Sequence, residues 1–184
     1  FDFETGFATS QTVDPVSVTW WPYGHSVLVC EQGDFRRVEL ATGEAQVLAR
    51  PDGGCLVAWA SPTGDRLAAF GIHQGWNGFW LVDLATQSWR QLYAPYGELI
   101  WSPDGRFLAH TRRNGPLVLL DTDDGSQTTI EPVVGQTLPD FSPDGSELVY
   151  TLVASGSEQI WRYRLVDGSR SQLTVGPANR WGPQ

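Results

Sequence analysis

The feature that most constrains this chain is a proline-glycine turn that recurs at intervals of forty or forty-one residues. The four copies lie at 20–24, 60–64, 101–105 and 141–145, and a shortened fifth copy lies at 181–184. Proline fixes φ at the second position of such a turn, and glycine at the fourth accepts conformations closed to other residues. The spacing therefore predicts a chain built from repeats of one small unit.

Each repeat contains four short runs with strand-like composition. In the second repeat these are the run before the turn, then 67–70, 79–84 and 90–92. A period near forty with four short strands is typical of a propeller blade. We predict an all-β fold, a β-propeller of four-stranded antiparallel blades with four full repeats and two partial ones. The full repeats lie at approximately 14–52, 53–93, 94–133 and 134–174, and the partial ones at 1–13 and 175–184, all in a single segment.

Alternation along the strands predicts which side chains face the core. In the fourth repeat Trp161, Tyr163 and Leu165 point to one face, and the intervening arginines point to the other. Aromatic residues that begin the turns are expected to pack between neighbouring blades: Trp20, Trp101, Phe141 and Trp181. The second repeat has Ala60 at that place and Trp59 one position earlier, so either Trp59 fills a different gap or that boundary is looser.

The repeated motif resembles a known family. Ser61-Pro62-Thr63-Gly64, Trp101-Ser102-Pro103-Asp104-Gly105 and Phe141-Ser142-Pro143-Asp144-Gly145 are similar to the WD-like repeats of TolB-type propellers, as is the run from Leu81 to Thr86. The same repeat occurs in the propeller domains of prolyl-oligopeptidase-like peptidases. The resemblance covers nearly the whole chain and implies the fold, whereas one fold hosts many activities.

Composition narrows the class of partner. The 184 residues carry a net charge of −9, which argues against nucleic acid or an anionic membrane surface as the main partner. No run approaches the roughly 20 apolar residues of a membrane span. Methionine is absent, so we expect the sequence not to be a complete primary translation product. Residues 1–13 lack the pattern of a signal peptide, and a periplasmic or extracellular location is implied only by the resemblance.

Two cysteines are too few to define a disulfide framework. Cys30 closes the second strand of the first repeat and Cys55 opens the first strand of the second, so both should lie near the same rim. A bridge is conceivable, but we favour two small, buried apolar side chains, since free cysteine is among the most buried residue types.

The two ends of the chain predict an open blade edge. Residues 1–13 match the end of a third strand and a fourth strand, whereas 175–184 match only a first strand. Together they form an incomplete fifth blade, or separately they are cut edges of a longer propeller. An exposed strand edge favours pairing with another chain. We therefore expect a protein partner or another copy of the chain at that edge.

No pattern in the sequence indicates catalysis, a cofactor or a metal site. His25, His73 and His110 occupy different places in their repeats, and none has a metal-binding spacing. The acidic run 121–125 lacks the ligand pattern of a calcium loop, so we interpret it as a turn whose aspartates bind nearby amides. There is no Gly-x-Ser-x-Gly elbow. Glu98 and Asp140 are expected on innermost strands, but no acid/base pair stands out.

One segment differs from its counterparts in the other repeats. Residues 73–80 are predicted to form a loop between the second and third strands, on the face opposite the proline-glycine turns. The predicted binding residues are those of this segment and of two later loops: His73, Trp76, Asn77, Tyr93, Tyr96, Arg112 and Arg113. Exposed aromatic rings beside amide and imidazole groups suit a sugar or a protein hot spot. The alternative is that Phe79 and Trp80 begin a core strand and Trp76 packs over its own loop.

These observations predict a non-enzymatic protein-interaction or ligand-binding propeller module. The alternative is an accessory or gating propeller of an exported hydrolase, a peptidase or a carbohydrate-active enzyme whose catalytic domain lies elsewhere.

Overall fold

A computed structural model describes residues 17–92, 97–111, 115–132, 139–154 and 157–176. These residues form sixteen β-strands and no helix. The strands make four separate sheets of four strands, and within each sheet consecutive strands are hydrogen-bonded neighbours. All pairings are antiparallel, as short connections between successive strands require. The all-β prediction with four strands in each repeat is thus confirmed.

The chain divides into two compact units, Phe1–Pro95 and Tyr96–Gln184, each containing two sheets. The first sheet consists of β1 Ser17–Trp20, β2 Ser26–Glu31, β3 Asp34–Glu39 and β4 Ala45–Ala49, and the second of β5 Cys55–Ala60, β6 Arg66–His73, β7 Trp76–Asp83 and β8 Ser88–Leu92. The third sheet consists of β9 Glu98–Trp101, β10 Phe107–Thr111, β11 Leu117–Asp121 and β12 Gln127–Glu131, and the fourth of β13 Asp140–Phe141, β14 Glu147–Ala154, β15 Ser157–Arg164 and β16 Arg170–Gln172.

A serine hydroxyl stabilises the proline-glycine turn in three of the four repeats. The Oγ atoms of Ser61, Ser102 and Ser142 accept the backbone N–H of the residue five positions later, at 3.1, 2.8 and 3.0 Å. Ser102 and Ser142 donate in turn to the aspartate two positions later. The turn glycines all have φ between 72° and 74°, which explains why glycine recurs there.

Apolar side chains fill the space between the two sheets of each unit. In the first unit Leu28 and Phe35 of the first sheet pack with Leu67, Trp80 and Val82 of the second. In the second unit the third and fourth sheets contribute equally to such a core: Ala109, Leu117, Leu119, Ile130, Phe141, Leu148, Tyr150 and Tyr163. Trp161 and Leu165 pack against this core, which confirms the predicted orientation of that strand.

Polar contacts also connect the sheets of the second unit. The Tyr150 hydroxyl donates to Glu131 at 2.8 Å, and Arg170 lies 3.2 Å from the same carboxylate oxygen. Burial, together with the bond to Glu131, raises the pKa of Tyr150, so the phenol remains a donor at neutral pH. The aspartates of the 121–125 turn accept the N–H groups of Asp123 and Ser126, at 2.9 and 2.7 Å, as expected for a structural turn.

The prediction that turn aromatics pack between sheets is correct for Phe141 but wrong for Trp20. Phe141 is buried in the second core, whereas Trp20 is 68% exposed. In the first repeat Trp21 takes the serine position of the turn and is buried instead, with its ring against Gly64. In the second repeat Trp59 packs against Phe79. Trp80, not Trp59, lies in the core between the first and second sheets. Trp181 lies outside the described residues.

The favoured interpretation of the cysteines is also wrong. Cys30 and Cys55 are joined in a disulfide, with their Cα atoms 5.8 Å apart. Both are buried, as predicted, but burial alone does not distinguish a free thiol from a half-cystine. The bridge ties the end of β2 to the start of β5 and so links the two sheets of the first unit.

Candidate functional site

Most of the segment predicted to be a binding loop is a β-hairpin. β6 ends at His73 and β7 begins at Trp76, so only Gln74 and Gly75 form the turn. Their φ angles are 50° and 73°, as in the two-residue turns that suit the twist of a hairpin. His73 and Trp76 lie directly opposite each other across the hairpin. Since side chains alternate along a strand, His73 and Trp76 share the face that packs toward the first sheet, whereas exposed Asn77 lies on the other face.

Four aromatic rings meet on that face, and we call them the aromatic cluster: His73, Trp76, Trp80 and Trp89. His73 stacks on Trp89 with the centroids 4.2 Å apart and meets Trp80 edge-on at 5.0 Å. Trp76 meets Trp80 edge-on at 5.3 Å. Such stacked and edge-to-face contacts are worth roughly 0.5–1.5 kcal/mol each beyond burial. The cluster therefore holds the histidine ring in one orientation.

The Trp76 ring also covers Gly78, where a Cβ atom would overlap it. Trp76 is half-buried and packs against the first core, and Phe79 and Trp80 are buried in β7. As in the alternative interpretation, Phe79 and Trp80 belong to a core strand, although that strand begins at Trp76, and the Trp76 ring packs over its own hairpin. The contact of Trp76 with a ligand remains a prediction.

Asp52, in the connection between β4 and β5, fixes the tip of the hairpin. Its carboxylate accepts the backbone N–H of Gln74 at 2.9 and 3.1 Å and lies 3.5 Å from Nδ1 of His73. Two backbone bonds hold the connection to β6: Gly53 N–H to Ile72 O at 3.0 Å, and Ile72 N–H to Gly54 O at 2.9 Å. The sequence patterns did not predict a role for Asp52. Its only signal in the sequence is its position directly before the glycine pair Gly53-Gly54.

A groove of about 480 Å³ lies beside the aromatic cluster. It runs between the outer strand of the first sheet and the turn that precedes β8, and its lining residues are Val47, Leu48, Ala49, Arg50, Gln87 and Trp89. Gln87, at φ 56°, donates its side-chain amide to Leu48 O at 3.0 Å and so connects the two walls. Arg50 is 72% exposed and lies 3.3 Å from Asp34. Trp89 belongs to both features, since it lines the groove and stacks on His73.

The structure brings together only part of the predicted binding set. His73 and Trp76 are in contact through the cluster, and Asn77 is exposed on the opposite face. Tyr93, Tyr96, Arg112 and Arg113 lie outside the described residues. The sequence did not predict Trp89, Gln87 or Arg50 as site residues, because a groove between two sheets depends on residues about forty positions apart in the chain.

The other titratable groups considered above lie in strands or in turns. Within the described ranges, no three His, Cys, Asp or Glu side chains lie close enough together to hold a metal ion. His25 is exposed and His110 is buried inside β10. Glu98 and Asp140 are exposed at the starts of β9 and β13. The hydroxyl of Ser142 and the amide and hydroxyl of Ser146 lower the pKa of Asp144 to about 2, so this turn carboxylate is ionised at neutral pH.

No model of a protein family matches the chain. An uncharacterized protein of Agrobacterium fabrum is 30% identical over 87 residues, which cover 45% of this chain and 30% of that protein. The match thus spans less than a third of the length of this curated relative. Among the described residues, no helix has the length and apolar character needed to cross a membrane.

Solved structures reveal the fold. TolB from Acinetobacter baumannii superposes with a TM-score of 0.57 at 18% identity, over 86% of this chain and 43% of that one. Dipeptidyl peptidase 4 of Porphyromonas gingivalis gives 0.71 at 13% identity, over 90% and 33%. An oligogalacturonate lyase gives 0.65 at 20% identity, over 88% and 53%. At these identities the likeness concerns the fold alone. The four four-stranded antiparallel sheets, together with these structural neighbours, show that the chain has a β-propeller fold.

Proposed function

We propose that the chain is a non-enzymatic binding module whose first unit holds a ligand in the groove beside the aromatic cluster. The observation that carries this proposal is the position of Trp89, which lines the groove and stacks on His73 with the ring centroids 4.2 Å apart. Asp52 restrains the hairpin that bears His73. A ring held in this way loses little conformational entropy on binding, which favours affinity.

The groove favours a ligand with a flat, weakly polar ring face, and we propose a carbohydrate. A tryptophan wall offers an apolar surface for the C–H face of a sugar. Arg50, largely exposed on the opposite wall, offers guanidinium donors for hydroxyl or carboxylate groups. The volume, about 480 Å³, falls within the range typical of small-molecule sites.

The test compares three tryptophan variants of the intact chain. A glycan array identifies the ligand, and isothermal titration then measures its affinity. Trp89→Ala should weaken binding by about 2 kcal/mol, or about 30-fold, the usual threshold of a hot spot. Trp89→Phe should retain most of the affinity, because it keeps a ring in the stack. Trp20→Ala is the matched control, since Trp20 is 68% exposed and does not line the groove.

Two results would count against the carbohydrate ligand. One is an array on which the folded chain binds no glycan. The other is a bound glycan whose affinity is equal for the wild type and Trp89→Ala. Turnover of a peptide, ester or glycoside by the chain, abolished by a substitution at Glu98, Asp140 or a histidine, would contradict the non-enzymatic part of the proposal.

A second candidate function is that of an accessory propeller in an exported hydrolase. It is favoured by the alignment of 90% of this chain with only 33% of a dipeptidyl peptidase, a protein that therefore has a large part beyond the shared fold. The disulfide favours an oxidising compartment, consistent with a periplasmic or extracellular location. A catalytic domain encoded in the same reading frame would favour an accessory propeller of a hydrolase over a stand-alone binding module.

A further inference from the structure

Gln87 occupies a position that is glycine in the three other repeats. The turn after the third strand of each sheet contains one residue in the left-handed region, with φ of 71°, 56°, 81° and 67° in chain order: Gly43, Gln87, Gly125 and Gly168. A residue with a Cβ atom is destabilised in that conformation, whereas glycine is not. The second repeat thus carries a backbone strain that the others avoid, and the glutamine side chain must offset it.

One contribution of the side chain is a bond between the two sheets of the first unit. Leu48 is the bulged residue of β4 and has no partner in the register with β3. The side-chain amide nitrogen of Gln87, Nε2, donates to Leu48 O at 3.0 Å and to Leu84 O at 2.9 Å. Gln87 therefore satisfies the carbonyl of the bulge and joins the outer strand of the first sheet to the turn before β8.

A bond of this kind does not require a strained residue. In the second unit Ile130 is the bulged residue of β12, and the Arg170 guanidinium donates to its carbonyl at 3.0 Å. Arg170 lies in β16, just after Gly168, so the fourth sheet makes the equivalent contact with the third and keeps glycine in its turn. The bond to Leu48 alone therefore does not account for a glutamine at position 87.

The orientation of the amide leaves an acceptor beside the groove. Both hydrogens of Nε2 are directed to carbonyl oxygens, and the reversed amide would place Oε1 against the same two oxygens, so the contacts determine which atom is which. Oε1 points away from these carbonyls, and no donor among the described residues bonds to it. Gln87 lines the groove together with Trp89 and Arg50. The groove thus combines a ring, a fixed acceptor and a group of donors.

We propose that Gln87 is the specificity-determining residue of the groove, with its Oε1 accepting a hydrogen bond from one hydroxyl of a sugar that lies against Trp89. This inference rests on the proposed function, because it concerns the ligand of the same groove. Arg50 cannot substitute for Gln87, since a guanidinium has donors only. A sugar without that hydroxyl would leave Oε1 unpaired on binding, and an unpaired polar group lowers affinity.

Nuclear magnetic resonance titration of the intact chain tests this role. The probes are the methyl glycosides of glucose, galactose, mannose and xylose and, for the one bound most tightly, each of its singly deoxygenated derivatives. The wild type should bind one derivative about tenfold more weakly than the parent sugar. Gln87→Met removes the acceptor and should abolish this discrimination, so that the parent and that derivative bind alike.

Two further variants separate specificity from folding. Gln87→Gly restores the glycine of the other repeats and should also abolish the discrimination, and it replaces Gln87→Met if circular dichroism shows the latter to be unfolded. Gln32→Met is the matched control: Gln32 is also left-handed, with φ 54°, but does not line the groove. This control should bind both sugars as the wild type does.

Three results would overturn the inference and leave the carbohydrate ligand in place. They are equal affinity of the wild type for the parent and every derivative, discrimination that persists in Gln87→Gly, and discrimination that is lost equally in Gln32→Met. A chain that binds none of the four glycosides would instead contradict the carbohydrate ligand itself, so the two failures are distinguishable.

Discussion

The disulfide between Cys30 and Cys55 should account for a large part of the stability of the first unit. The bridged residues are 25 positions apart. In the chain-entropy treatment, a loop of that length restricts the unfolded state by about 3 to 4 kcal/mol. Folded domains have only about 5–15 kcal/mol in total. We therefore expect loss of the bridge to lower the free energy of unfolding of residues 17–92 by about 3 kcal/mol.

Urea denaturation of the wild type and the Cys30→Ala/Cys55→Ala double variant, with and without reductant, measures this effect. Reductant should lower the midpoint of the wild type toward that of the double variant and leave the double variant unchanged. Hydrogen exchange should localise the loss to the first unit, which contains both cysteines. A reduced wild type within 1 kcal/mol of the oxidised protein would refute the reasoning, because the loop entropy would then be offset elsewhere.

Three further predictions concern packing, the hairpin tip and acid. Gly78→Ala should cost about 1–3 kcal/mol in urea denaturation, because a methyl group overlaps the Trp76 ring; an unchanged midpoint would contradict that contact. Asp52→Ala should speed hydrogen exchange of the Gln74 amide at least tenfold, since that amide donates to the carboxylate at 2.9 Å; equal exchange rates would exclude this restraint. The pKa of Asp144 in the folded chain, about 2, lies below its ordinary value of 3.8, so the contribution of this carboxylate to stability is present above pH 4 and is lost as the pH falls toward 2. In acid titrations followed by circular dichroism, Asp144→Asn should lessen that loss. An identical profile for the variant and the wild type would argue against the lowered pKa of Asp144.

The turns were predictable because their chemistry is local. Proline, glycine and serine within five positions determine the φ angles and the hydroxyl contacts of a turn, as Ser102 and Gly105 show. The binding segment was only partly predictable. A run rich in glycine and aromatic residues is compatible with a loop, yet the positive φ of Gln74 and Gly75 allows β6 and β7 to continue to the turn itself.

The choice between neighbouring aromatic residues could not be made from the sequence. Trp20 and Trp21 are adjacent and chemically alike, and only the packing of Trp21 on Gly64 of the next repeat decides which of them is buried. The groove could not be predicted from the sequence either. Leu48 and Gln87 are thirty-nine positions apart, and their contact exists only because two sheets are adjacent.

The sequence by itself therefore determined the repeat, the four strands in each repeat, the turn conformations and the faces of the strands, because each of these depends on residues close together in the chain. The tertiary structure alone decided the Cys30–Cys55 bridge, the exposure of Trp20, and the meeting of Asp52, His73 and Trp89. The bridge and the contacts of Asp52, His73 and Trp89 depend on how one sheet of the first unit is placed against its neighbour, and the exposure of Trp20 depends on the lack of a covering sheet among the described residues. Such placement follows from side-chain packing between repeats, which the pattern within one repeat does not specify.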